Sequence, residues 1–448
     1  MKQQLSISRY GAYKDSGVEW LGEVPNDWRV AKVKSTCSHL RDGTHGSFER
    51  VDDGYPLLSV RNIVNSKFVL LSDDSCISEL DCKSISKSLK IKEGDLQLAI
   101  VGATLGKVAL VPANMPQFVT QRSLATLRPI SKILSNSFLF YFAGNSYFQD
   151  SLWSKANYSA QPGVYLYTIS NIDILLPPIT EQVAIAAYLD SQTTQLDRKV
   201  ELLTQKAAQY GKLKQSLINE TVTRGLDKNV AMKDSGVEWI GEVPAHWEHG
   251  RIKDFVNTNA VTKVPTSLAD SDLIEFLPMT NIDEALGKIK KFNYVPLKEV
   301  ISGYTKFKNK DVIFAKITPC MENGNSAIVG NLSNNISYGS TEFMVFRAYK
   351  KLSEKFLHYY LHNDLFRRNA EPFMKGTAGQ KRISSQFMET HFFALPPFAE
   401  QQAIAAYLDT QTAHINRIVT TINSQIDKLK ELRKALINDI VTGKIKVA

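Results

Sequence analysis

The sequence predicts an α+β protein: two mixed α/β domains separated by two long antiparallel coiled-coil helices, with a pseudo-twofold internal repeat. Three observations predict it. The first is a duplication, because Lys14-Asp15-Ser16-Gly17-Val18-Glu19-Trp20 returns as Lys233 to Trp239, Gly22-Glu23-Val24-Pro25 as Gly241 to Pro244, Trp28 as Trp247 and Ala186-Ala187-Tyr188-Leu189-Asp190 as Ala405 to Asp409, all at an offset of 219. That period is too long for a solenoid and marks two copies of a whole domain. The second is a pair of heptad stripes in identical phase, and the third is a stretch of strand-type segments between the matched blocks, where the copies share little.

In chain order, each copy begins with its frame block. After Trp28, the residues Val30, Val33 and Leu40 are separated by polar ones, and Tyr55 to Val60 and Asp95 to Val101 have strand composition between Gly and Pro turns. The second copy answers with Leu273 to Met279 and Asp311 to Ala315. Asn62-Ile63 matches Asn281-Ile282 and Arg128 matches Arg347 at offset 219, while Asp95 matches Asp311 at 216. The inserts therefore share a fold and differ in loops. Leu176-Pro177-Pro178 and Leu395-Pro396-Pro397 close the mixed regions, since proline cannot continue a ladder. Thr180-Glu181 and Ala399-Glu400 then open helices.

The stripes carry Leu189, Leu196, Leu203, Tyr210 and Leu217 at position d, and Leu408, Ile415, Ile422, Leu429 and Leu436 in the second copy. Position a holds Ala186, Thr193, Val200, Ala207 and Lys214, then Ala405, Thr412, Val419, Ile426 and Arg433. Narrow stripes with polar outer faces such as Gln195-Asp197-Arg198-Lys199 suit two helices meeting each other, through Leu189, Leu196, Val200, Leu203, Tyr210 and Leu217 and through Leu408, Ile415, Val419, Ile422, Ile426, Leu429 and Leu436. The competing reading docks each stripe on its own domain. A helix of about 40 residues is ~60 Å long, so an antiparallel pair would place one insert at each end of a rod. Gly225 and Thr442-Gly443-Lys444 supply the helix ends. The expected divisions are a first domain at 1–178, a first spacer helix at 179–225, a second domain at 226–397 and a second spacer helix at 398–448.

At 448 residues, with 43% hydrophobic and 22% charged, the composition is that of a globular protein of two domains. A net charge of +9 favours a polyanionic partner. Met1 to Ser6 lacks an apolar signal core, and Leu96 to Val111 is too short and too interrupted to span a bilayer, so a cytoplasmic protein with no membrane partner is expected. Cys37, Cys76, Cys82 and Cys320 form no C-x-x-C pair and no zinc spacing. No metal site is expected.

Catalytic motifs are missing too. Adenine or cytosine amino-methylation needs an [DN]-P-P-[YF] loop, and in Leu395-Pro396-Pro397-Phe398 the leucine offers no acceptor. Gly102 to Val108 has the wrong spacing for a phosphate loop, and there is no H-E-x-x-H or G-x-S-x-G. His45, in Asp42-Gly43-Thr44-His45, stands in what reads first as a turn. No catalytic residue is expected.

The repeated GEVP-x-x-W entries, the LPP-x-x-EQ-x-x-I-A-x-Y-L-D helix starts and the ending Leu436-Ile437 to Val441-Thr442-Gly443-Lys444-Ile445 resemble the specificity (S) subunits of type I restriction-modification systems, over residues 14 to 448. The helix-entry motif falls on Pro177, Pro178, Glu181, Gln182, Ile185, Ala186, Leu189 and Asp190, and again on Pro396, Pro397, Glu400, Gln401, Ile404, Ala405, Leu408 and Asp409. The resemblance implies two target recognition domains, each reading one half of a split, asymmetric site in double-stranded DNA. It implies two methyltransferase (M) subunits docked on the helices for adenine-N6 methylation, and restriction (R) subunits beyond them. S-adenosylmethionine, ATP and Mg would sit on those partners, with no cofactor in this chain. Asp42 to His45, Val119 to Arg122, Lys316 to Cys320, Asn323 to Asn325 and Gly339 to Phe343 match recurrent segments of such domains. Arg224-Gly225-Leu226 departs from Gly443-Lys444-Ile445 at the other helix end.

Base reading needs Arg or Lys for guanine and Asn or Gln for adenine. The divergent loops offer Arg41, Thr44, His45, Arg61, Asn62, Gln121 and Arg122 in the first insert, and Asn281, Lys316, Asn323, Asn325, Lys375, Lys381 and Arg382 in the second. Lys375 to Arg382 is a basic, glycine-containing loop suited to DNA, or an exposed hairpin tip. The alternative to a DNA-reading adaptor is a coiled-coil interaction protein that binds DNA without sequence readout, through salt-sensitive contacts.

Overall fold

The structure, a computed structural model, describes residues 7–19, 21–88, 90–158, 161–377 and 379–447. Met1 to Ser6, Trp20 of the first frame block and Ala378 of the basic loop lie outside the described residues. The chain divides into two compact units, residues 1–202 with 425–448, and residues 203–424.

The first unit is centred on a four-stranded antiparallel sheet made of β1 (Cys37–Asp42), β4 (Leu96–Ala99), β5 (Val108–Leu110) and β7 (Leu124–Pro129), in the order β5-β4-β7-β1. Beside it β2 (Tyr55–Leu58) pairs antiparallel with β3 (Cys76–Ile77) and parallel with β6 (Val119–Thr120). Helices α1 (Asn136–Ala143) and α2 (Ser146–Trp153) pack on the sheet. A hairpin of β8 (Asn157–Tyr158) and β9 (Pro162–Gly163) leads into α3 (Leu166–Ser170).

The second unit repeats this plan. Its four-stranded sheet runs β10 (Val256–Thr258), β17 (Phe343–Ala348), β14 (Val312–Ala315), β15 (Ser326–Ile328). Read from the other edge, the first unit's sheet has the same order of counterparts. The neighbouring sheet runs β12 (Asn293–Pro296), β11 (Leu273–Leu277), β16 (Ser337–Gly339), β13 (Thr305–Phe307), again with one parallel pair, β11 with β16. Helices α4 (Glu354–His362), α5 (Asp364–Ala370) and α6 (Ser385–Thr390) correspond to α1, α2 and α3.

The two long helices span Ile179–Arg224 and Phe398–Val441. None of the thirteen stripe residues named above is exposed. The units cut both helices near their middles, whereas the sequence reading set each helix apart as a segment of its own. The reason is packing. Ile185 and Leu189 of the first helix share a core with Trp28, Phe138 and Phe142, and with Ile437, Ile440 and Val441 from the tail of the second. In the other unit Ile404 and Leu408 share a core with Trp247, Phe356 and Tyr360, and with Ile218 and Val222. Each fully buried Ile or Val contributes about 1.5–3 kcal/mol, so these tails help hold the unit that they enter. In each unit the paired segments run antiparallel, Asp197 meeting Arg433 at 3.0 Å in the first and Lys214 donating to Asn416 Oδ1 at 3.1 Å in the second.

The helix-entry motif has a physical role at each polar position. Glu181 accepts from Trp28 Nε1 at 3.2 Å, and Glu400 from Trp247 Nε1 at 3.2 Å. Gln182, fully buried, accepts from Ser135 N at 2.8 Å and donates to the Ile133 and Pro177 carbonyls at 2.9 Å each. Gln401 does the same with Ser353, Lys351 and Pro396. Asp190 and Asp409 take the hydroxyls of Tyr141 and Tyr359 at 2.6 and 2.8 Å. The shared Asp and Arg of the inserts form bidentate pairs between a half-buried guanidinium and a buried carboxylate, Arg128 with Asp95 at 2.6 and 2.7 Å and Arg347 with Asp311 at 2.8 Å. Removing the arginine would leave a buried carboxylate held only by a backbone N–H, from Lys92 or Lys308, and so is costly. Gly225 and Gly443 both adopt φ of +76°, the left-handed cap that ends each helix.

Candidate nucleic-acid interface

In the first unit Asp42 lies opposite Ala125, and Ala99 opposite Leu124. The segments that leave these strands, Gly43 to His45, Gln121 to Ser123 and Ile100 to Gly102, therefore gather at one end of the sheet. Two sequence motifs meet there. Thr44 N–H donates to the Thr120 carbonyl at 2.7 Å, Arg122 N–H to the Thr44 carbonyl at 3.0 Å and Gly43 N–H to the Leu124 carbonyl at 2.9 Å. Gly43 is required by this approach, since a Cβ there would stand 2.2 Å from the Thr120 oxygen. The Asp-Gly pair thus works as a crossing point, where the sequence suggested a turn.

On this platform His45 is held by Asp42, Nε2 to Oδ2 at 2.6 Å, with its side chain 64% exposed. Arg41 and Arg122 are exposed and, among the described residues, have no ion-pair partner. Gln121 is half-buried, its N–H bound to the Leu58 carbonyl at 2.8 Å. Arg61 is paired within the unit, and Asn62, which is buried, needs correction as a base reader. Arg61 is committed to Asp73 and Asp74, with contacts of 2.7 to 3.2 Å. Asn62 is fully buried, its amide bound to Ser59 N, the Val69 carbonyl and Asp74. It positions the loop that carries Arg61.

The second unit builds the equivalent end. Ala315 lies opposite Phe343, and Lys316 N–H donates to the Glu342 carbonyl at 2.9 Å. The basic loop closes as a hairpin, Lys375 N–H to the Arg382 carbonyl at 3.0 Å and Arg382 N–H to the Lys375 carbonyl at 2.8 Å. It hangs on the strand end through Thr318 N–H to the Lys381 carbonyl at 3.0 Å and Ile383 N–H to the Lys316 carbonyl at 2.9 Å. Lys375 and Lys381 are exposed without an ion-pair partner among the described residues. Arg382 holds Glu342 at 2.7 and 3.0 Å, and its hydrogen bonds, with help from Lys316, keep the Glu342 carboxyl below its ordinary range. Glu342 lies in the recurrent segment Gly339 to Phe343, and its pairing with Arg382, 40 residues on, leaves no local signal in the sequence.

Three amides of this unit differ in their surroundings. Asn281 donates to the Lys291 carbonyl at 3.1 Å and to Asn293 at 3.2 Å. Exposed Asn323 donates to Glu284 at 3.1 Å. Asn325 is buried, with its Oδ1 unpaired among the described residues, so its placement as a base reader is corrected. Among the described residues named above, Arg41 and Arg122 in one unit, and Lys375 and Lys381 in the other, are exposed cations with no ion-pair partner, while half-exposed Lys316 lies near Glu342.

The frame, the duplicated plan and the variable sheet ends agree with a family model. The model for the type I restriction modification DNA specificity domain matches twice, over residues 27–209 and 244–428. The chain belongs to this family. Among its relatives, the type I restriction enzyme MjaVIII specificity subunit of Methanocaldococcus jannaschii is 24% identical over 440 residues, covering 95% of this chain and 94% of the relative. The EcoAI specificity subunit of Escherichia coli is 35% identical over 164 residues, 36% of this chain and 27% of the relative. A chain from a structure on complex assembly and conformational transition of the type I R-M system superimposes with a TM-score of 0.69 at 17% identity, covering 93% of this chain and 98% of that one. The HsdS subunit from Thermoanaerobacter tengcongensis gives 0.52 at 18% identity, covering 94% and 98%. Both likenesses are of fold. Specificity subunits of this family are non-catalytic. No helix of the described residues is long and apolar enough to cross a membrane.

Proposed function

We propose that this type I specificity subunit reads a split, asymmetric site in double-stranded DNA, one half per unit, through the loop ends of the two four-stranded sheets. The observation that carries the reading is the coincidence of three properties at those ends. Their backbones are hung in the same way, their sequences differ between the units, and they hold the exposed cations Arg41, Arg122, Lys375 and Lys381, with Lys316 beside them. A shared platform with unlike side chains is what two different half-sites require. The long helices would dock two methyltransferase subunits for adenine-N6 methylation, and restriction subunits through them. S-adenosylmethionine, ATP and Mg would be held by those partners.

Replacing residues 28–175 with another insert should change one half of the methylated motif, and adding four residues to one helix should change the spacer between halves. Methylated adenines mapped in a host with and without the gene read both outcomes. An intact motif after both edits would sink the proposal. Salt-sensitive binding with no preference between duplexes would favour the coiled-coil protein without sequence readout.

A further inference from the structure

The hairpin of β8 and β9 in the first unit is the counterpart of the basic hairpin in the second. Gly102 N–H donates to the Pro162 carbonyl at 2.8 Å and Val164 N–H to the Ile100 carbonyl at 3.0 Å, the same pattern as Thr318 with Lys381 and Ile383 with Lys316. Val101 bridges Gly163 as Ile317 bridges Arg382. By this register Pro162 and Gly163 stand where the second unit has Lys381 and Arg382. At these positions the first hairpin has no cation where its twin has two.

What it has instead is aromatic. Tyr158, Tyr165 and Tyr167 are 73%, 71% and 80% exposed, and among the described residues their hydroxyls have no partner. At the repeat offset of 219 their counterparts are Thr377, Ser384 and Gln386, so the same backbone forms without any of these rings. The fold does not need them. Three large rings left in water within ten residues mark a contact surface, because aromatic side chains gain most when their faces are covered. The hairpin that carries Tyr158, and Val164 just before Tyr165, bind the strand end that also presents Arg122 and the platform of His45. The segment that carries the rings is thus hydrogen-bonded, through Pro162 and Val164, to the proposed DNA-reading end.

We propose that Tyr158, Tyr165 and Tyr167 are the first unit's apolar contact with its DNA half-site, taking thymine methyl groups and base faces where the second unit offers cations. This rests on the DNA reading above. Thymine methyls in the major groove accept apolar contacts, and aromatic wedges can enter opened base steps. Neutral rings displace no counterions, so they add affinity without adding salt dependence.

The test uses the full chain assembled with its methyltransferase subunits. Each of Tyr158→Ala, Tyr165→Ala and Tyr167→Ala should weaken binding to a duplex carrying the methylated motif by about tenfold, the scale of one aromatic stack on a base. The triple variant should blur the first half of the motif and leave the second half intact, with the salt slope of binding unchanged. Lys381→Ala should lower that slope. Phenylalanine replacements keep the rings and should bind within about twofold. Unchanged affinity and motif in the triple variant, with native melting, would overturn the proposal alone. Loss of co-purification with the methyltransferase subunits would also overturn it, placing the rings at a protein interface. A wild-type complex that methylates no defined motif would overturn the DNA reading and this proposal together.

Discussion

Three of the eight histidines in this chain are sealed inside the second unit, and that makes the two units unequal toward acid. Burial pushes His358 down from 6.5 to about 4, His362 to about 3 and His391 to about 4. His362 loses further from its neighbour His358, whose ring lies 5.8 Å away. These groups fold neutral, so the unfolded chain binds more protons as pH falls below its ordinary histidine range. The stability that they allow is complete above about 6.5 and is lost as pH drops toward 4. At pH 5 each costs about 2 kcal/mol. The first unit has only His39 and His45, both exposed. Hydrogen exchange at pH 7 and pH 5 should show amides of residues 203–424 losing protection first. Equal loss in both units would contradict this assignment.

At the scale of the element, each long helix carries one charge in its apolar seam, and the seams treat them differently. Lys214 is buried, donating to Asn416 Oδ1 and to the Ala285 carbonyl, and desolvation lowers its pKa. Arg433, its counterpart, pairs with Asp197 at 32% and 58% side-chain exposure. An exposed pair contributes about 0–1 kcal/mol, whereas leaving a buried ammonium short of a partner costs about 1–3 kcal/mol. Asn416→Leu should therefore lower the melting temperature clearly and Asp197→Leu little, with Lys214→Leu recovering most of the Asn416→Leu loss in the double variant. Additive losses in calorimetry would show that the two side chains act separately. The repeat, the seams, the proline entries and the glycine caps were legible in the sequence because each is local or periodic. The sheet order was not, because pairing such as Asp42 with Ala125 joins residues far apart in the chain. The same distance hid which cations are free. Arg61 meets acids 12 and 13 residues on, and Arg382 meets one 40 residues back.

Across the whole molecule, the tail of the second helix has a consequence for synthesis. Every segment of the second unit lies between residues 203 and 424, but the first unit takes in residues 425–448. Its core around Trp28 and Leu189 lacks Ile437, Ile440 and Val441 until residues 437–441 have left the ribosome. Domains usually close in the order in which they are made, and here the order should be reversed. Nascent chains arrested with residues up to 424 exposed should resist protease in the second unit while the first is still cut. Equal resistance in both would show that the first unit closes without its tail. During translation, then, the half of the protein that is written first is the half that waits.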